Sequence, residues 1–194
     1  MAQLFVKIPH ERIGVLIGRG GEVKEKIEEN LGVRLEIDGK SGDVTISLKD
    51  SVTDPSNLFR AKDVVLAIGR GFSPERAYRL IEDEETVLTV IDLREFFGKS
   101  DSDIRRIKGR IIGKDGKTRK ILEEMTETMI SVYGHTVSII GGVEQTETAR
   151  RAIDLLIKGS QHSTVYKFLQ KERHELKKRR LQLWQDSEEK DLIC

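Results

Sequence analysis

Residues 107–122 read IKGRIIGKDGKTRKIL, and residues 12–27 read RIGVLIGRGGEVKEKI. The two stretches superpose without a gap, so that Gly14, Gly18 and Gly21 fall on Gly109, Gly113 and Gly116. Self-similarity at a fixed separation predicts one supersecondary unit used twice. The flanking patterns repeat in the same order, which carries more information than the shared letters.

In the first copy LFVKI at 4–8 alternates as a strand, and a brief helix runs to Ile17, closed by Gly18. Val23, Ile27 and Leu31 then share one face of a helix over 22–31 that Gly32 stops. VRLEI at 33–37 and DVTISL at 43–48 alternate about a Gly- and Ser-containing turn, which predicts a hairpin. A helix over 57–68, with Leu58, Ala61, Val64, Val65 and Ile68 inward, covers it.

The second copy begins with TVLTVIDL at 86–93, followed by a turn through EFFGKSDSD and a helix over 102–112. A helix over 117–128, a hairpin of MISVY and TVSII, and a covering helix over 145–158 complete it. Between the copies FSPERAYRLIEDEE reads as a short helical connector, with Pro74 at a helix start. After Gly159 a long helical pattern carries Val165, Phe168, Leu169, Leu176, Leu183 and Trp184.

The expected fold class is therefore α+β: two β-α-α-β-β-α units packed in tandem, with a C-terminal helical extension. The divisions expected are 1–80, with the connector beginning near 72, then 81–160, then a helix and acidic tail over 161–194. Units of this size gain stability by packing on each other.

Composition narrows the function. Of 194 residues, 34 are Lys or Arg and 33 Asp or Glu, so an argument for a polyanionic partner rests on local clusters rather than on net charge. The one cysteine, Cys194, excludes an internal disulfide framework and a multi-thiolate zinc site. No segment approaches eighteen consecutive apolar residues and the start lacks a signal core, so a soluble, cytoplasmic protein with no membrane contact is expected.

The two glycine loops, Ile17 to Gly21 and Ile112 to Gly116, carry the chemistry. Glycine at a helix junction permits close approach and backbone angles that a β-carbon forbids, and the amides of the next helix start can receive an anion. A GxxG loop between two helices, ahead of a hairpin, is the KH arrangement for clamping a nucleic-acid backbone. The doubled IGxxG context resembles the type I KH fold. IRRIKGRIIGKDGKTRKILEEMT at 104–126, followed by ISVYGHTVSIIG at 130–141, resembles the KH proteins that assemble the small ribosomal subunit, the partner-of-Nob family of archaea and eukaryotes.

The resemblance spans roughly residues 3–185. It implies pre-ribosomal RNA binding near the 3′ end of the small-subunit RNA, cooperation with the PIN-domain endonuclease Nob, no catalysis of its own and, in archaea, contact with the alpha subunit of translation initiation factor 2. The chain departs from the family at one point: an aliphatic residue is common three places after the last glycine, where Lys24 and Arg119 stand, with Val23 and the Ile121-Leu122 pair as core substitutes.

Residues 102–121 hold eight basic and two acidic side chains, whereas 7–26 hold five and three. The second loop is therefore the expected RNA site: Arg106, Arg110, Ile112, Gly113, Lys114, Gly116, Lys117, Arg119 and Lys120, with Arg106, Arg110, Lys114 and Lys117 preferred as phosphate contacts. Asp115 is not expected to touch the backbone. Ile111, Ile112, Ile121 and Val132 are the candidate groove residues that meet bases.

Gly18, Arg19, Gly20, Gly21 and Lys24 form a secondary site, crowded by Glu22 and Glu25. A third basic cluster, Lys177, Lys178, Arg179 and Arg180, either extends the RNA track, meets an acidic partner, or is a solvated helix face.

Other chemistries fail on the letters. A phosphate-binding loop ending in Gly116-Lys117-Thr118 needs glycine at 111, which is Ile, and GRGGEV at 18–23 lacks both the third small residue and the βαβ setting of a dinucleotide fold. His10, His135, His162 and His174 form no metal motif, and there is no GxSxG, so no catalytic residue, cofactor or metal is expected. Two alternatives to ribosomal RNA binding stand: an adaptor that keeps KH folds as protein-binding scaffolds, and a KH regulator of messenger RNA.

Overall fold

The computed structural model describes the backbone of residues 3–49 and 54–191 and side chains as far as residue 179. β1 (Gln3–Lys7), α1 (His10–Ile17), α2 (Glu22–Leu31), β2 (Val33–Ile37), β3 (Asp43–Leu48) and α3 (Ser56–Gly69) form the first unit. Two single-turn helices follow, α4 (Pro74–Ala77) and α5 (Arg79–Glu82). The second unit is β4 (Thr86–Asp92), α6 (Arg94–Phe97), α7 (Asp101–Ile112), α8 (Lys117–Thr126), β5 (Met129–Tyr133), β6 (Thr136–Gly142) and α9 (Val143–Ile157), and α10 (His162–Asp191) ends the chain. The EFFGKSDSD stretch, expected as a turn, winds one helical turn from Arg94 to Phe97, because the Asp92 carboxylate accepts the Arg94 amide at 2.9 Å and starts it.

Each unit has an antiparallel sheet with its last strand in the centre, in the orders β1-β3-β2 and β4-β6-β5. Register sets Leu35 against Ile46 and Ile130 against Ile139, so each sheet turns one apolar face to its own helices.

The sheets differ on their second face. Thr45, on the outward face of the first sheet, pairs with Phe5, which is 73% exposed. In the second sheet Leu88, Ile140 and Met129 form one row whose side chains join Phe72, Ala77 and Leu80 in the core of the first unit. This is why Thr136–Ile140 is buried at every position while β3 alternates.

Polar bonds flank the same contact, those of Arg12 within the first unit and those of Tyr133 and Ser131 between the units. Arg12 donates from Nε to the Ile68 carbonyl at 2.8 Å and from its terminal nitrogen to the Phe72 carbonyl at 2.6 Å, with its guanidinium 5.8 Å from the Tyr133 ring centre. The Tyr133 hydroxyl donates to Glu11, and Ser131 donates to the Arg70 carbonyl at 2.9 Å. α10 docks on the second unit through buried Val165 and Leu169. Leu183 and Trp184, expected to share in that docking, lie outside the described side chains.

Candidate nucleic-acid interface

The second loop turns the chain from α7 into α8 over four residues, Gly113 to Gly116. Gly113 has φ +72°, Asp115 +54° and Gly116 +74°, all in the left-handed region. Gly18, Gly20 and Gly21 repeat this at +76°, +63° and +94°. Asp115 thus holds a position that glycine holds in the first loop, which a short polar side chain tolerates. No side chain caps the start of α8 or α2, and each turn is closed by backbone alone, the Lys117 amide donating to the Lys114 carbonyl and the Glu22 amide to the Arg19 carbonyl.

Lys114, Lys117 and Lys120 are exposed around that turn, with Lys117 and Lys120 on the face of α8 opposite buried Thr118 and Leu122. Among the described residues none of the three is in an ion pair. The sequence-predicted cations divide from there. Arg106 is 62% exposed and bonded to Asp103 at 3.1 Å, whose carboxyl is held below its usual range first by the Ser100 hydroxyl and then by Arg106 itself. Arg110 donates to the Ser160 carbonyl, and its own carbonyl lies 3.0 Å from His162 Nε2, so it fastens α10 to α7.

Arg106 and Arg110 therefore lie on the flank of α7 that faces α10. Ile112 shares the other flank with Lys108, whose ammonium donates to the Gly134 carbonyl in the β5–β6 turn at 2.8 Å. The groove runs between that flank and the hairpin. Ile112 and Val132 border it half-buried, but two groove expectations need correction. Ile111 is fully buried in the core. Ile121 stands on the flank of α8 it shares with Met125, which Arg173 of α10 approaches at 3.7 Å, so it faces away from the hairpin.

Lys24 and Arg119 have a shared role that spacing alone did not indicate. Lys24 pairs with Glu28 at 3.8 Å and Arg119 with Glu123 at 3.9 Å. The same carboxylates accept the Leu35 amide at 2.6 Å and the Ile130 amide at 2.8 Å, holding β2 and β5 against the preceding helix. Val23 and Thr118, two places after the last glycine, fill the core in their stead, with Ile27 and Leu122 one turn on. A Glu seven residues before a strand's second or third position, repeated in both copies, was the available signal. At the first loop Arg19 is exposed, while Lys26 lies 3.9 Å over the Tyr78 ring and is engaged with the connector.

Lys177, Lys178 and Arg179 are exposed on α10, with Arg179 3.7 Å from Glu144 of α9. The side chain of Arg180 lies outside the described residues. Among the described residues no three His, Cys, Asp or Glu side chains gather as a metal site, and no helix is long and apolar enough to cross a membrane.

Residues 3–66 match the KH domain family, and residues 87–174 match the eukaryotic type KH-domain, type I. A KH domain-containing protein of Methanocaldococcus jannaschii is 48% identical over 96% of this chain and 81% of its own length. The pre-rRNA-processing protein PNO1 of Phaeosphaeria nodorum is 28% identical over 84% of this chain, which spans 63% of that protein. In the crystal structure of the a/eIF2alpha-aDim2p-rRNA complex from Pyrococcus horikoshii, the matching chain is 44% identical with a TM-score of 0.84, over 90% of this chain and 95% of that one.

Proposed function

The chain belongs to the Pno1/Dim2 family of KH-domain rRNA-processing proteins, and from that premise we propose that it is a non-catalytic RNA-binding protein of small-subunit rRNA maturation and ribosome assembly. Single-stranded RNA crosses the Gly113–Gly116 turn, where Lys114, Lys117 and Lys120 meet phosphates and the groove beside Ile112 and Val132 meets bases. The observation that carries this reading is the glycine turn ringed by three exposed lysines that are in no ion pair among the described residues.

The first loop, with Arg19 as its exposed cation, is a weaker second contact, and Lys177 and Lys178 extend the basic surface. By likeness to the Pyrococcus complex, the partners are the small-subunit rRNA and the alpha subunit of translation initiation factor 2. The 3′ end of that RNA, the PIN-domain endonuclease Nob and a cytoplasmic setting complete the proposal, as do the divisions at 80 and 160.

The test is a salt series with short single-stranded RNA on the whole chain and on Lys114→Asp. Loss of affinity across many sequences with unchanged far-UV circular dichroism supports the reading. Unchanged affinity transfers the function to the adaptor alternative.

A further inference from the structure

The second unit carries a piece of groove that the first unit lacks. In the first, only Ile8 and Pro9 separate β1 from α1, whereas residues 93–100 separate β4 from α7. The inserted α6 and the added N-terminal turn of α7 enclose, with the β5–β6 turn, a notch of about 290 Å³. Arg94, Arg105 and Lys108 line it, together with Ile104 and His135, and Asp101 is the one acid on its wall.

Three observations give the notch a ligand chemistry. Arg94 and Arg105 are exposed and in no ion pair among the described residues, whereas on the other flank Arg106 pairs with Asp103 and Arg110 donates to the Ser160 carbonyl. The nearby Asp92 carboxylate is occupied, lying 3.4 Å from His135 and accepting the Arg94 amide. Burial pushes the His135 imidazole below its ordinary value, and Arg94, Arg70 and Lys108 act in the same direction against the pull of Asp92, so three cations reach the ring beside the notch.

The notch is also continuous with the loop. Arg105, Lys108 and Ile112 follow one another along a single flank of α7, and Arg105 precedes Gly113 by about 12 Å of helix. We propose that Arg94 and Arg105 form a second anion site at the far end of the groove, which takes a backbone phosphate of single-stranded RNA already held at the glycine loop. Lys108 keeps ammonium hydrogens free for the same strand after its bond to Gly134. An acidic protein segment fits the charge but not this continuity.

This inference rests on the loop reading, and RNA length separates the two. Fluorescence anisotropy compares the whole chain with its Arg94→Gln/Arg105→Gln variant on RNA of about four nucleotides, the length one loop clamps, and of about eight. The expected result is an unchanged short RNA, a long RNA weakened about tenfold, and a slope of log K against log salt reduced by about 0.7 for one lost phosphate contact. Arg94→Lys/Arg105→Lys retains most of the long-RNA affinity, because charge rather than packing acts there. Equal behaviour of variant and wild type on both lengths, an equal loss on both, or loss of binding to a polyglutamate peptide without a length effect on RNA would overturn the proposal. Lys114→Asp tests the loop alone, since its failure to weaken the short RNA counts against the loop and leaves the length comparison intact.

Discussion

A β-carbon on Gly113 would stand 2.2 Å from the Thr118 hydroxyl oxygen and 2.8 Å from the Thr118 amide nitrogen. Thr118 is buried and accepts a hydrogen bond from Tyr166 of α10 at 3.3 Å, so it cannot yield without disturbing the docked helix. Gly113→Ala therefore combines a clash with a left-handed backbone and costs about 1–3 kcal/mol. Gly20→Ala meets open space and carries only the backbone penalty, about 1 kcal/mol. Thermal unfolding of the two variants is expected to rank them in that order, and equal melting temperatures would contradict the geometry.

The cations of α7 and α8 around the second loop have unequal expected roles. Lys117→Ala/Lys120→Ala is expected to lower the salt slope for single-stranded RNA by about 1.4, as loss of two phosphate contacts requires. Arg106→Ala, on the flank turned to α10 and already paired with Asp103, is expected to change that slope little. Arg110→Ala instead shows in stability, because it releases the Ser160 carbonyl.

Arg12 bonds two carbonyls of its own unit and lies against Tyr133 of the other. Arg12→Met removes charged hydrogen bonds to Ile68 and Phe72 and the contact with Tyr133. Chemical denaturation should register a loss of about 2–3 kcal/mol. A loss below about 0.5 kcal/mol would mean that stability does not depend on these bonds.

Glu123 accepts from both the Ile130 amide at 2.8 Å and Arg76 at 3.0 Å. Glu123→Ala leaves the amide unsatisfied, and a cost of about 1–3 kcal/mol is expected. Hydrogen exchange at Ile130 is the specific readout: it should quicken more than at Ile139, in the same sheet but with no bond to Glu123.

His135 gives the fold a component of pH dependence. Its folded pKa lies below the unfolded value of 6.5, chiefly through burial and then through Arg94, Arg70 and Lys108 acting against Asp92. As pH falls the unfolded chain takes this proton first. The contribution is therefore full above pH 6.5 and is lost as pH falls through the folded value. His135→Gln is expected to flatten the fall in stability as pH drops below about 6.5, and an unaltered profile would remove this histidine as the source.

By itself the sequence determined the doubled unit, the two loops and nearly every helix and strand. Those properties rest on local periodicity and on glycine, which act within a few residues of chain. Val23, Ile27 and Leu31 mark the buried face of their helix by spacing alone.

Tertiary structure decided which basic side chains face which way, since eight cations within twenty residues carry no label for their flank. Only the packing of α10 commits Arg110 to Ser160. Only the second sheet's burial on both faces makes β6 continuous core. Arg12 and Ile107 occupy matching positions in the repeat, yet one binds backbone carbonyls beside the other unit and one is core. That difference arises from where each helix lies in the assembled chain, because a side chain's role is set by the groups that packing brings within reach.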